Sequence, residues 1–295
     1  MKENEASSTA LTVLQGILYT ARKPEYAYLV DDEFKQSCER MLNASEQGRK
    51  RLKQLDNWFY RECAVPVLQR LLAPNITLHY VLRKRGIEDY ARTQLKKGMT
   101  QVINLGAGLD TLAYRLSKKY PEVSFIEIDH PATQNLKEQF FKSSNEALEN
   151  LHYLPIDFTE QTLEGELSQF AAFSAEKPTL FICEGVLMYL NEQQVKDLFS
   201  SLKKLCNHQL HFVFTALEPE DHSHNSLLKR YLQTKGEAIH WLKPKAEMAD
   251  FVSHQGFTLD EIATEEILCS RYLKGEVPKV LLTQEYLAHA QVTEN

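Results

Sequence analysis

The chain lacks most of the features that announce a function. Its five cysteines (Cys38, Cys63, Cys183, Cys206 and Cys269) are scattered among 295 residues and form no CxxC pair. A disulfide framework and a structural zinc site are therefore not expected, and a reducing compartment is. No apolar run reaches the ~18–20 residues needed to cross a bilayer. The opening MKENEASSTALTVL has no basic stretch joined to an apolar core, so no signal peptide is read there. Positive charge is not in excess: the net charge of -6 gives no general attraction to nucleic acid. The sequence has no internal repeat and no low-complexity tract. A cytoplasmic protein is expected, with neither nucleic acid nor membrane as partner. What it does have is 43% hydrophobic and 10% aromatic residues, enough for one large α/β domain or a domain with a lid.

Patterning changes near residue 100. Residues 1–95 read as a helical extension. ALTVLQGILYTARK has Leu11, Leu14 and Leu18 at helical spacing, CERMLNASEQGRKRLKQLDNWFYREC reads as one long charge-laced helix, and LHYVLRKRGIEDYARTQL puts Ile87, Tyr90, Ala91 and Leu95 on one face before Lys97-Gly98 closes it. Over 96–218, short apolar runs (QVINL, VSFIEID, HYLPIDF, TLFICEG, HFVFTALE) alternate with helical patterns, the last of which opens with Asn191 and Gln194 spaced as in a capping box. This alternation predicts a doubly wound, mostly parallel sheet covered on both faces. Residues 219–256 read as an inserted helical lid, and 257–295 as C-terminal strands, FTLDEIAT and VPKVLLTQEYLA, completing the sheet.

In open α/β sheets ligands bind at the carboxyl ends of the strands. VINLGAGLD supplies such an end: Gly106 and Gly108 permit a tight turn, and the helix that follows offers free amides. A dinucleotide fingerprint would want a third glycine where Thr111 stands, and Asp110 would repel a pyrophosphate. Both residues favour a nucleoside cofactor without phosphate, and S-adenosyl-L-methionine fits. The next strands end in Asp129, placed for ribose hydroxyls, in Asp157 and Phe158, placed for an adenine, and in Glu184. Carboxylates at four successive strand ends repel one another unless something cationic lies between them, and a sulfonium with an ammonium would serve.

VINLGAGLDTLAYRL, EIDHPATQNLK and CEGVLMYLNEQQV together resemble the leucine carboxyl methyltransferase family, which also includes tetracenomycin-type polyketide carboxyl O-methyltransferases. The resemblance runs from about Ser7 to Glu218. It implies a class I, Rossmann-like S-adenosylmethionine-dependent methyltransferase with extra N-terminal helices and an inserted lid. By motif position Gly106 would meet the methionine part of the cofactor, Asp129 the ribose, Asp157 and Phe158 the adenine, and Glu184 the amino group. Arg83 would pair with the cofactor carboxylate, which suits a bidentate guanidinium. Lys84 and Arg85 are read as a solvated helix face. Gln15-Gly16 stands where the family has an Arg-Ala pair.

No His or Lys at a core strand end reads as a general base. His130, before a proline, reads as a turn residue, and the HSH of His222–His224 as a polar loop rather than a metal site. A carboxylate nucleophile, ionised at pH 7, needs no base. The expected function is O-methylation of a small-molecule or peptide carboxylate. Tyr189 could orient donor or acceptor, and Arg271 could meet an acidic substrate. Two alternatives are an NAD-dependent oxidoreductase and a non-catalytic binding protein on the same fold.

Overall fold

The computed structural model describes residues 8–143, 147–158, 160–219, 239–275, 277–278 and 284–292. Five short apolar runs form parallel strands: β1 (Gln101–Leu105), β2 (Ser124–Asp129), β3 (Leu151–Pro155), β4 (Thr179–Cys183) and β5 (Leu210–Leu217). β7 (Glu285–Val292) runs antiparallel between β5 and β6 (Thr258–Ala263), completing the order β3-β2-β1-β4-β5-β7-β6. The chain leaves β1 toward β2 on one side and returns at β4 on the other. The switch point lies between β1 and β4, where such sheets bind ligands.

Side-chain alternation along each strand builds two cores. Val102, Phe125, Leu180, Ile182 and Val213 face α5 (Ile76–Lys96), α6 (Leu112–Ser117) and α7 (Pro131–Ser143). Ile103, Ile126, Phe181, Phe212 and Phe214 face α8 (Leu163–Ser168), α9 (Glu192–Leu205) and α10 (Lys245–His254). α9 opens on the expected capping box, with Gln194 N donating to Asn191 Oδ1 at 2.9 Å and Asn191 N to Gln194 Oε1 at 2.8 Å.

The N-terminal helices pack on the first core. Leu11, Leu14 and Leu18 of α1 (Ser8–Ala21) are buried, and α1 crosses α5 closely because Gly16 has no Cβ: one built there would lie 2.8 Å from the Tyr80 ring. The neighbouring Gln15 turns the other way, donating to Arg51 O and to Gln54 Oε1, both at 3.0 Å. The single long helix expected next is two, α2 (Asp32–Asn43) and α3 (Glu46–Asp56). Ser45 breaks it by capping α3 through Gly48 N at 3.0 Å, and a Cβ at Gly48 would fall 2.0 Å from Leu42 O. After a π-helical turn at Tyr60–Ala64, α4 (Val65–Leu72) leads into α5.

Two expectations near the C-terminus are displaced. The final strand is Glu285–Val292 rather than VPKVLLTQEYLA, because EYLAHAQV is the segment that lies between two strands and is buried along most of its length. A helix not anticipated from the sequence, α11 (Glu265–Tyr272), follows β6 and packs on α5. Of the stretch read as a lid, residues 220–238 and the His222–His224 loop lie outside the described residues. The rest joins the second core through buried Trp241, Met248 and Val252. No described helix is long and apolar enough to cross a membrane.

Candidate active site

The switch point is shaped by three glycines with left-handed backbone. At Gly106 (φ 65°) a Cβ would lie 2.3 Å from Val186 Cγ2, so the loops after β1 and β4 interlock only because that atom is missing. Gly108 (φ 51°) lies beneath α1, with the Ala10 Cβ 3.5 Å from where its own would be. Gly185 (φ 66°) donates its N–H to Thr215 Oγ1 at 2.8 Å, fixing the turn that follows Glu184.

Asp110 begins α6. Its Oδ1 accepts from Thr111 N at 2.6 Å and Leu112 N at 3.2 Å, satisfying amides at the helix start. Thr111, where a dinucleotide loop would carry glycine, is fully buried and accepts from Ser37 Oγ of α2 at 3.0 Å. Asp129 closes β2. One oxygen accepts from Gly108 N at 2.7 Å and the other from His130 N at 2.8 Å, yet burial still raises its pKa. His130 is a turn residue, its Nδ1 accepting from Ala132 N at 3.3 Å, and its Nε2 stands 3.7 Å from Asp157 Oδ2. Beyond β3, Asp157 is half-buried and Phe158 is 56% exposed, an uncovered ring at the same sheet edge.

The cations between these acids are the protein's own. Arg83 Nε donates to Glu184 Oε1 at 2.7 Å, and its Nη1 to Glu285 Oε2. Lys84 bridges Glu184 Oε2 at 2.9 Å and Asp110 Oδ1 at 3.1 Å. Lys84 is buried, not on a solvated face, and Arg85 is half-buried with its guanidinium 5.6 Å from the centre of the Tyr272 ring. The reason is that α5 is enclosed: buried residues from Leu78 to Leu95 circle its axis, which leaves little wet surface for RKR. The repulsion among the strand-end acids is thus relieved from within the chain for Asp110 and Glu184.

The pairing continues away from the switch point. Glu285 Oε2 also accepts from His79 Nε2 at 2.9 Å, and His79 Nδ1 lies 3.3 Å from Glu265 Oε2. Burial disfavours a charged His79, but the two carboxylates raise its pKa to about 9. Burial likewise opposes ionisation of Glu285, which Arg83 and His79 nevertheless hold down to about 2. Asp110, also desolvated, is held at about 2 by Lys84, Lys137 and Arg115. Lys84 itself, though desolvated, is raised by Asp110 and Glu184. His79, Lys84, Glu265 and Glu285 escaped the sequence reading because their partners stand 100 or more positions away in several cases.

The remaining two candidates are placed differently. Tyr189 lies half-buried in the 3-10 turn Leu187–Tyr189, after Gly185 on the β4 side of the site. Arg271, on α11, pairs with Glu261 of the edge strand β6 and is not brought to the strand-end acids.

A glycine turn at the switch point, acids closing successive parallel strands and an antiparallel β7 between β5 and β6 define the fold of class I S-adenosylmethionine-dependent methyltransferases. A DUF574 family protein from Streptomyces avermitilis shares that fold, with a TM-score of 0.62 over 99% of each chain at 12% identity. The family model of leucine carboxyl methyltransferases matches residues 11–203, and the chain belongs to that family. Bacillus subtilis YktD, named as a proposed S-adenosyl-L-methionine-dependent methyltransferase, is 28% identical over 68% of each chain. Leucine carboxyl methyltransferase 1 of Candida albicans is 28% identical over 52% of this chain and 49% of its own. Other relatives are matched over 40–46% of their own length. Neither the NAD-dependent nor the non-catalytic alternative finds support among them.

Proposed function

We propose that the chain transfers the methyl group of S-adenosyl-L-methionine to a carboxylate oxygen, on a small molecule or at a peptide terminus. The observation that carries this reading is the charge pattern at the switch point. There Lys84 lies between Asp110 and Glu184, and Arg83 ties Glu184 to Glu285, which His79 links onward to Glu265. The donor carries a sulfonium and an ammonium, which suit an edge lined by carboxylates, and one carboxylate, which suits Arg83. A pyrophosphate would meet Asp110 and Glu184.

The residues fit that group. Arg83 has five N–H donors, of which Glu184 and Glu285 engage two, so donors remain for a ligand carboxylate. Glu184 faces the ammonium, Asp129 keeps lone pairs for ribose hydroxyls, and Asp157 with the exposed Phe158 ring takes the adenine. Gly106 and Gly108 let the ligand approach the backbone. When bound, the cofactor supplies an electrophilic methyl on sulfur. The protein's own part is alignment and exclusion of water, and holding two reactants in attack geometry supplies ~7–11 kcal/mol. A carboxylate acceptor arrives ionised and needs no general base. In this reading Tyr189 orients the reacting groups. Arg271, held by Glu261, has no assigned part.

Calorimetry with S-adenosylhomocysteine tests the donor site. Arg83→Ala should weaken binding by about 100-fold, since truncating a buried, hydrogen-bonded charge costs about 2–5 kcal/mol. Lys84→Ala should weaken it less, by about tenfold, because Lys84 acts through its ion pairs with Asp110 and Glu184. Equal affinities for wild type and Arg83→Ala would remove Arg83 from the site. Stabilisation by NADH and not by S-adenosylhomocysteine would overturn the reading. Labelled methyl transfer to a panel of acids, with base-labile label, would establish the ester.

A further inference from the structure

We propose that Glu285 is a positioning residue of the methyl-donor site, acting through Arg83 and itself fixed by His79. The proposal rests on the donor reading above. Glu285 lies outside the 11–203 stretch matched by the family model and outside every motif visible in the sequence. It is the first residue of β7 and stands opposite Leu217, the last residue of β5, so the antiparallel strand returns it to the carboxyl edge of the sheet.

Two facts argue for a role beyond packing. First, the guanidinium of Arg83 is held from two sides by carboxylates from different strands: Glu184, following β4, takes Nε, and Glu285 takes Nη1. A single carboxylate leaves a long arginine free to rotate about the shared contact, whereas two fix the plane of the fork. Bidentate recognition of a ligand carboxylate depends on that plane. Second, Glu285 is buried and its own position is constrained. Its Oε2 receives His79 Nε2 at 2.9 Å as well as Arg83, while Oε1 has no partner among the described residues. His79 in turn is flanked by fully buried Glu265 on α11. The C-terminal part of the fold thereby reaches the donor site through one carboxylate. In its absence Arg83 would turn both donor edges toward Glu184 and away from the ligand.

The test compares two probes that differ in the group Arg83 would recognise. S-adenosylhomocysteine has the amino-acid carboxylate, and 5′-methylthioadenosine lacks it. With Glu285→Gln, which keeps the volume and removes the charge, S-adenosylhomocysteine should bind about tenfold more weakly than to wild type, within the range measured for directly coupled residues. Affinity for 5′-methylthioadenosine should stay unchanged. In an Arg83→Ala background the Glu285→Gln change should cost nothing further, since the pathway it acts through is gone. His79→Gln should give the same selective loss at about threefold, and it carries the test by itself if Glu285→Gln does not fold. Parallel weakening of both probes would mean a merely structural role and overturn the proposal, as would no change in either. Wild-type protein that bound neither probe would sink the donor reading itself, a different outcome from wild type and Glu285→Gln binding alike.

Discussion

The two faces of the sheet are built by opposite means. The face toward α8, α9 and α10 is apolar and held by aromatic packing: Phe199 sits edge-on to Phe212, Phe214, Phe251 and Phe257, with ring centres 5.1–5.6 Å apart. The face toward α5, α6 and α7 buries charge repeatedly. Besides the switch-point network it holds Glu88 with Arg115 at 2.5 Å, and Glu127 with Lys137 at 2.6 Å, the latter pair with no exposed side-chain surface. Buried ion pairs contribute little net stability because desolvation offsets attraction. The lesson of the contrast is one of means: both faces bury an apolar core, but only the charged face also gives up some stability for a pre-arranged electrostatic site.

The sharpest break of that comparison is Phe199→Ala. Removing the ring at the centre of the aromatic face should cost about 3–5 kcal/mol of unfolding free energy, read from denaturant titration. Below its unfolding temperature the variant should bind S-adenosylhomocysteine as wild type does. If affinity fell with stability, the two faces would not be separable.

Next in size is the Glu127–Lys137 pair. Glu127→Met alone leaves Lys137 buried without its partner and should cost about 3–5 kcal/mol. Adding Lys137→Met should recover most or all of that loss, since replacing both partners by apolar residues is often neutral or stabilising. A double variant as unstable as the single would show that the pair itself stabilises the fold. Burial already pushes Glu127 up to about 7 against the pull of Lys137.

The smallest effect should be a pH slope. His79 faces Glu265 from α11, Glu285 from β7 and, one turn along its own helix, Arg83. Its native pKa of about 9 stands above the ordinary 6.5. The stability it contributes is therefore fully present below 6.5 and lost as pH rises through about 9. Unfolding titrations across that window should slope downward for wild type and flatten for His79→Gln. Glu285 and Asp110 have depressed values, so their contributions are present above the ordinary carboxylate range and lost as pH falls toward about 2.

How much of this was legible in the sequence follows the same division. The five parallel strands and the capped helix α9 were readable because period and capping are local signals, carried within a dozen residues, whereas the final strand was placed too early. The glycine loop, Asp129 and Glu184 were readable because each ends a strand. The charged face was not. Lys84 meets Asp110 and Glu184 only because α5 is wrapped by α1, α11 and the sheet, and a charge-rich run inside an enclosed helix reads the same as one on a solvated face. Apolar residues on every side of α5 were the available sign, since such a helix must bury some of its charges. The break at Ser45 was equally hidden, because what decides it is the approach of Gly48 to the backbone of Leu42.

The close seat of Val186 on Gly106 constrains how this loop can change over time. Two separate barriers guard position 106: any larger residue would collide with the valine, and its left-handed φ would cost about 1–2 kcal/mol. Trimming Val186 removes the first barrier and leaves the second untouched. A lineage that lost this glycine would still carry the strain of the turn after the contact had been relieved.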